Sequence, residues 1–76
     1  MTDPPQFVVY ADPALLPEVT DQLRADPGVR VLRLGGPASA PDRLVAQMPT
    51  ATADALRQTF GDRVTVEPDE PLTAYS

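Results

Sequence analysis

Prolines govern what this chain can fold into. Ten of them punctuate 76 residues, from Pro4 and Pro5 to Pro68 and Pro71. Proline has no backbone N–H to donate, clashes one turn back inside a helix, and is confined to the ends and edges of sheets. Only the short stretches between prolines are free to form regular structure. Gln6 to Ala11, bounded by Pro5 and Asp12-Pro13, is a run of β-branched and aromatic residues and reads as a first strand. Asp12 is placed to cap the turn that follows, and Pro17 moves the start of the regular helix to its own neighbourhood. Leu16, Val19 and Leu23 then share one helical face, while Glu18, Asp21 and Arg24 face water. Asp26-Pro27-Gly28 ends that helix.

Val29 to Leu34 reads as a second strand and Arg43 to Met48 as a third, joined by an exposed stretch of small residues and prolines from Gly35 to Pro41. In the third strand Leu44, Ala46 and Met48 alternate against Arg43, Val45 and Gln47. A second helix begins at Pro49-Thr50, with Thr50 or Thr52 as its cap, and carries Ala53, Leu56 and Phe60 as an apolar stripe. Gly61 stops it. Val64-Thr65-Val66 opens a fourth strand that Pro68 must end or push to an edge. The order strand, helix, strand, strand, helix, strand predicts an α+β domain of ferredoxin-like βαββαβ topology. Its four-stranded antiparallel sheet would carry both helices on one face and leave the other face uncovered. The whole of 1–76 is expected to be one domain, with a core of about 6–67 and an extended tail over 68–76. An uncovered, half-apolar sheet face invites a partner, although the topology alone assigns no function.

Composition removes several classes of function. The chain has no Cys and no His, so disulfides, Ser-His or Cys-His nucleophiles and the usual zinc, haem and iron–sulfur ligands are missing. We expect no enzyme, no metal and no cofactor. Eleven acidic residues against six arginines give a net charge of −5, which disfavours nucleic acid and anionic membranes as partners. The arginines are spread along the chain and suggest no patch, and Gly35-Gly36 lacks the Lys and following helix of a phosphate loop. Phe7 and Tyr10 are both expected in the core. No stretch reads as a secretory signal or a membrane span, so a cytoplasmic protein is expected if Met1 is the natural start. A domain this small buries only about 60% of its unfolded surface, and marginal stability follows, relieved when a partner binds.

The last stretch carries the most specific signal. After Val66 the sequence runs Glu67-Pro68-Asp69-Glu70-Pro71-Leu72-Thr73-Ala74-Tyr75-Ser76, in which two prolines favour extended backbone. Taken alone, such a tail reads as terminal disorder and Glu67 and Asp69 as solvated acids. The sequence from about Phe7 to Tyr75 nevertheless resembles the propeptides of subtilisin-like proteases and the free-standing inhibitors related to them. Val66-Glu67-Pro68-Asp69 is similar to the Val-Glu-x-Asp that closes the last strand in that family. An acidic-Pro-apolar step like the family's stands at Asp26-Pro27-Gly28-Val29, before the second strand, whereas Gly61-Asp62-Arg63 departs from the form the family shows before the last one.

The resemblance implies an inhibitor or folding chaperone of a subtilisin-like serine protease, bound through the open sheet face. In this family the two acids accept hydrogen bonds from the N-termini of two protease surface helices, a role it assigns to Glu67 and Asp69. It also implies a tail held product-like in the protease cleft as an added strand. Tyr75 would fill the primary pocket and Leu72 the apolar fourth pocket, with Thr73 and Ala74 passing between them and Pro71 setting the approach. A register with Ser76 in the primary pocket would waste Tyr75. The competing expectation is a regulatory or scaffold module that binds another protein through its sheet face and has no protease target. The cognate protease stays open at this point, as does the oligomeric state, with a monomer expected for the free domain.

Overall fold

A computed structural model describes residues 4–69. Its elements are β1 (Gln6–Ala11), α1 (Leu16–Arg24), β2 (Arg30–Gly35), β3 (Arg43–Gln47), α2 (Thr50–Phe60) and β4 (Val64–Pro68), with a single 3-10 turn at Gly61–Arg63 before the last strand. The strands form one sheet in the order β2-β3-β1-β4, every neighbouring pair antiparallel. This is the βαββαβ arrangement of a ferredoxin-like α+β fold.

Local chemistry explains the boundaries. The Asp12 carboxylate accepts the Ala14 N–H at 2.9 Å, and its carbonyl accepts the N–H groups of Leu15 and Leu16, so one tight turn leads into α1. Pro17 then falls in the first turn of the helix, where its missing N–H would have found no intrahelical partner. The Asp26 carboxylate accepts the Gly28 N–H at 2.8 Å and turns the chain toward β2. At α2 neither Thr50 nor Thr52 serves as the cap expected from sequence. Pro49 occupies the cap position in an extended conformation, and its carbonyl accepts the N–H groups of Thr52 and Ala53. Gly61 ends α2 with φ +58°, a conformation that costs other residues steric strain.

The core lies between the helices and one face of the sheet. Phe7, Val9 and Ala11 of β1, Leu44 and Ala46 of β3, and Val64 and Val66 of β4 meet Leu16, Val19 and Leu23 of α1 and Ala53, Leu56 and Phe60 of α2. Both predicted helical stripes are buried, as is Met48 just beyond β3, whose N–H donates to the Pro5 carbonyl. Thr20 is the one buried polar residue among those described, and its hydroxyl donates to the Leu16 carbonyl at 2.8 Å.

Strand β2 departs from simple alternation. Val31 pairs with Ala46 and Arg33 with Val45, so Leu32 is an extra residue in a β-bulge. The bulge shifts which residues face which side. Arg30 and Arg33 are an odd number of residues apart, yet they lie opposite Gln47 and Val45, two residues on the same side of β3. Leu32 and Leu34 are left exposed. Among the described residues no helix is long and apolar enough to cross a membrane.

Candidate functional site: the open face of the sheet

Both helices pack on one side, and among the described residues no element covers the other. The antiparallel register arranges that open face in cross-strand rows. One row runs Arg33, Val45, Val8, Glu67 from β2 through β3 and β1 to β4. A second runs Arg30, Gln47, Gln6 and reaches Asp69, just past the end of β4. A third runs Gly35, Arg43, Tyr10, Thr65. The centre of the face is apolar and its two flanks carry opposite charge.

Val45 is only 5% exposed although no helix lies over it. Its row neighbours Arg33 and Val8 flank it, and long side chains of this kind cover apolar surface with their stems while keeping their charge in water. Tyr10, 37% exposed, is not a core residue, unlike Phe7 at 6%. The reason is parity: Tyr10 stands three residues from Phe7, so the pleat sends the two side chains to opposite faces. The Arg43 guanidinium lies 5.4 Å from the Tyr10 ring centroid, within range of a cation–π contact. Its Nε donates to the Asp42 carboxylate at 3.0 Å. That hydrogen bond, and then the charge of Asp42, raise the Arg43 pKa above its already high ordinary value, so the face keeps this positive charge throughout the accessible pH range.

Three of the six arginines are therefore gathered in space. Arg30, Arg33 and Arg43 share the β2–β3 half of the open face, a grouping sequence reasoning missed. The signal that could have revealed it is the bulge at Leu32, which no local pattern announces. Of the remaining arginines, Arg57 reaches from α2 to the outer edge of the sheet. Its guanidinium donates to the Val66 carbonyl at 2.6 Å and to Asp54 at 2.9 Å, occupying one acceptor on the free side of β4.

The structure brings the two sequence-predicted acids together. Glu67 lies opposite Val8 and is exposed, and Asp69 follows on the same face. Asp69 is half-buried. Its N–H donates to the Gln6 carbonyl at 2.8 Å, and its carboxylate accepts the Gln6 side-chain amide at 2.6 Å. One carboxylate oxygen is thus engaged while the other retains its acceptor sites, which orients the group without exhausting it. Pro71, Leu72, Thr73, Ala74 and Tyr75, assigned to a protease cleft by resemblance, lie outside the described residues, as does Ser76.

A shallow groove of about 310 Å³ also runs beside α1, lined by Pro13, Leu16, Pro17, Arg24, Leu34 and Pro41 among others. Its chemistry is apolar with a single acid and a single arginine at the rim, a poor match to any acid–base or nucleophilic arrangement. The open face, with its apolar centre and its ordered carboxylates, is the stronger candidate, and what it can do chemically is recognise another protein surface. Comparison with protein-family models, with curated proteins and with solved structures finds no match.

Proposed function

We propose that the domain is a non-enzymatic inhibitor or folding chaperone of a subtilisin-like serine protease, engaging it through the open sheet face and the segment that follows β4. One observation carries this reading. Glu67 and Asp69 stand side by side on the open face at the end of an edge strand, beside the apolar pair Val8 and Val45. A helix N-terminus presents unpaired N–H groups and about half a positive charge, and a carboxylate is its natural complement. The resemblance of Val66-Glu67-Pro68-Asp69 to the closing motif of propeptide-type inhibitors supports the same assignment. The chain would then continue from Asp69 into the protease cleft through Pro71, Leu72, Thr73, Ala74 and Tyr75. Two linked contacts would act as a bivalent ligand and make departure slow.

The test is a titration against a broad-specificity subtilisin with a chromogenic substrate. Stoichiometric inhibition is expected, lost on deletion of Leu72 to Ser76 while the circular dichroism of the domain is unchanged. Glu67→Ala should weaken inhibition about 10- to 100-fold, because hydrogen bonds to a charged group contribute on the order of 1.5–3 kcal/mol. A folded domain that fails to inhibit at micromolar concentration would end the proposal. The second reading, a scaffold module with no protease target, draws on the basic half of the face, for which helix N-termini offer no counterpart. It predicts that the deletion leaves partner binding intact.

A further inference from the structure

The open face is complementary to itself. The row Arg33, Val45, Val8, Glu67 reads basic, apolar, apolar, acidic. The row Arg30, Gln47, Gln6, Asp69 reads basic, amide, amide, acidic. A twofold axis parallel to the strands, passing between β3 and β1 and lying in the plane of contact, reverses each row and lays it on its own copy. Arg33 then meets Glu67 of the second copy and Val45 meets Val8. Arg30 meets Asp69 and Gln47 meets Gln6. In the remaining row, Arg43 meets Tyr10, the kind of pair each copy already makes within itself at 5.4 Å. A twofold axis normal to the face cannot bring two open faces together, and one perpendicular to the strands would set β2 against β2, arginine against arginine.

We infer that two copies of this chain associate face to face through their open sheets about this axis. Stacked sheets lie about 10 Å apart, a gap that arginine and glutamate side chains can bridge from opposite sides. Among the described residues neither Arg30, Arg33 nor Glu67 forms an ion pair within its own chain, so all three are available across the contact. The net charge of −5 on each copy opposes association only weakly at physiological salt, since repulsion between charges more than about 8 Å apart is then largely screened. Four strands of five to six residues present a face of about 19 by 17 Å. The area buried falls below the ~1,200 Å² of stable complexes, so the dimer is weak and concentration-dependent. It covers the same face assigned above to a protease, but it does not depend on that assignment, because mass is read with no partner present.

Sedimentation velocity and light scattering from about 10 µM to about 1 mM protein, at low and at high salt, provide the test. The wild-type chain should shift toward dimer mass with concentration and lose dimer with salt. Arg33→Glu and Glu67→Arg should each weaken self-association about tenfold or more, since symmetry turns two attractive contacts into two repulsive ones. Mixed in equal amounts, the two variants should associate with each other better than either does with itself, because only the heterodimer has both pairs matched. Should either reversal fail to fold, Arg33→Gln and Glu67→Gln replace it, and each is expected to weaken the wild-type dimer. A monomer at every concentration overturns the inference. So does a dimer indifferent to these substitutions, which would point to the exposed β2 edge with Leu32 and Leu34, and so does an equimolar mixture that shows no heterodimer.

Discussion

Replacing Gly36 by alanine should destabilise the domain and loosen its open face at once. Gly36 follows β2 and has φ +97°, a region that costs a side-chain-bearing residue about 1–3 kcal/mol. An added Cβ would also collide with the Asp42 carboxylate and stand 3.1 Å from the Asp42 backbone nitrogen. That nitrogen cannot easily retreat. Its N–H donates to the Gly35 carbonyl at 3.2 Å, and the carbonyl of the same residue accepts the Ala11 N–H at 3.0 Å. The side chain of Asp42 must turn away instead, releasing Arg43 from its ion pair and from its place over Tyr10. Backbone strain and the displaced loop together should cost about 2–4 kcal/mol, or about 10–25 °C in melting temperature for a domain of this size.

Thermal and urea unfolding followed by circular dichroism measure the cost, and the Tyr10 ring resonances report the release of Arg43. Gly61→Ala supplies the comparison, because Gly61 also has positive φ but an added Cβ would meet nothing within 4 Å. Gly36→Ala should cost more than Gly61→Ala, and part of that excess should vanish in an Asp42→Ala background. A cost equal to that of Gly61→Ala, or one unchanged by removing the Asp42 side chain, would refute the collision. A cost under about 0.5 kcal/mol would refute the strain as well.

Other substitutions probe the rest of the structure. Leu56→Ala, at a core position 2% exposed, should cost about 2–5 kcal/mol in urea unfolding, a large share of what so small a domain holds. Arg57→Ala should cost only about 0.5–1.5 kcal/mol, but it removes the hydrogen bond to the Val66 carbonyl, and amide hydrogen exchange should quicken in β4 more than in β3. Gln6→Ala should release the Asp69 carboxylate and speed exchange of the Asp69 amide, with little change at Glu67. Tyr10→Ala should leave stability within about 1 kcal/mol of wild type, because the ring already lies outside the core, whereas Phe7→Ala should cost about 3–5 kcal/mol.

Most of the fold was legible because its cues are local. Pro5 and Pro13 bracket β1, and the stripes of α1 and α2 recur at helical spacing, so these elements fell where they were read. Strand ends moved by a residue, with β2 starting at Arg30 rather than Val29 and β3 ending at Gln47 rather than Met48. What the sequence hid depends on pairing between distant strands. Nothing near Leu32 marks it as a bulge, and without the bulge Arg30 and Arg33 would fall on opposite faces, leaving only one of them to share the open face with Arg43. Alternation along β3 sets Val45 opposite to Leu44, Ala46 and Met48, but its burial comes from neighbours on two other strands. Tyr10 was misplaced because a run as apolar as Phe-Val-Val-Tyr masks its own alternation. Glu67 and Asp69 could be singled out from their motif, while the clasp between Asp69 and Gln6 spans 63 positions of sequence and leaves no local trace.

That clasp bears on how the chain reaches its folded state. β1 is made first but lies inside the sheet, with β4, the last strand, as one of its two neighbours. Until residues as late as Asp69 are available, one whole side of β1 has unpaired amides and carbonyls, and Val9 lacks Val66 beside it. Pairings of such long range close slowly, and a bare strand edge in the meantime is open to the wrong chain. A growing polypeptide of this sequence should therefore stay unsettled through most of its synthesis and gain its protection from proteolysis in one late step, when β4 leaves the ribosome and takes its place beside β1.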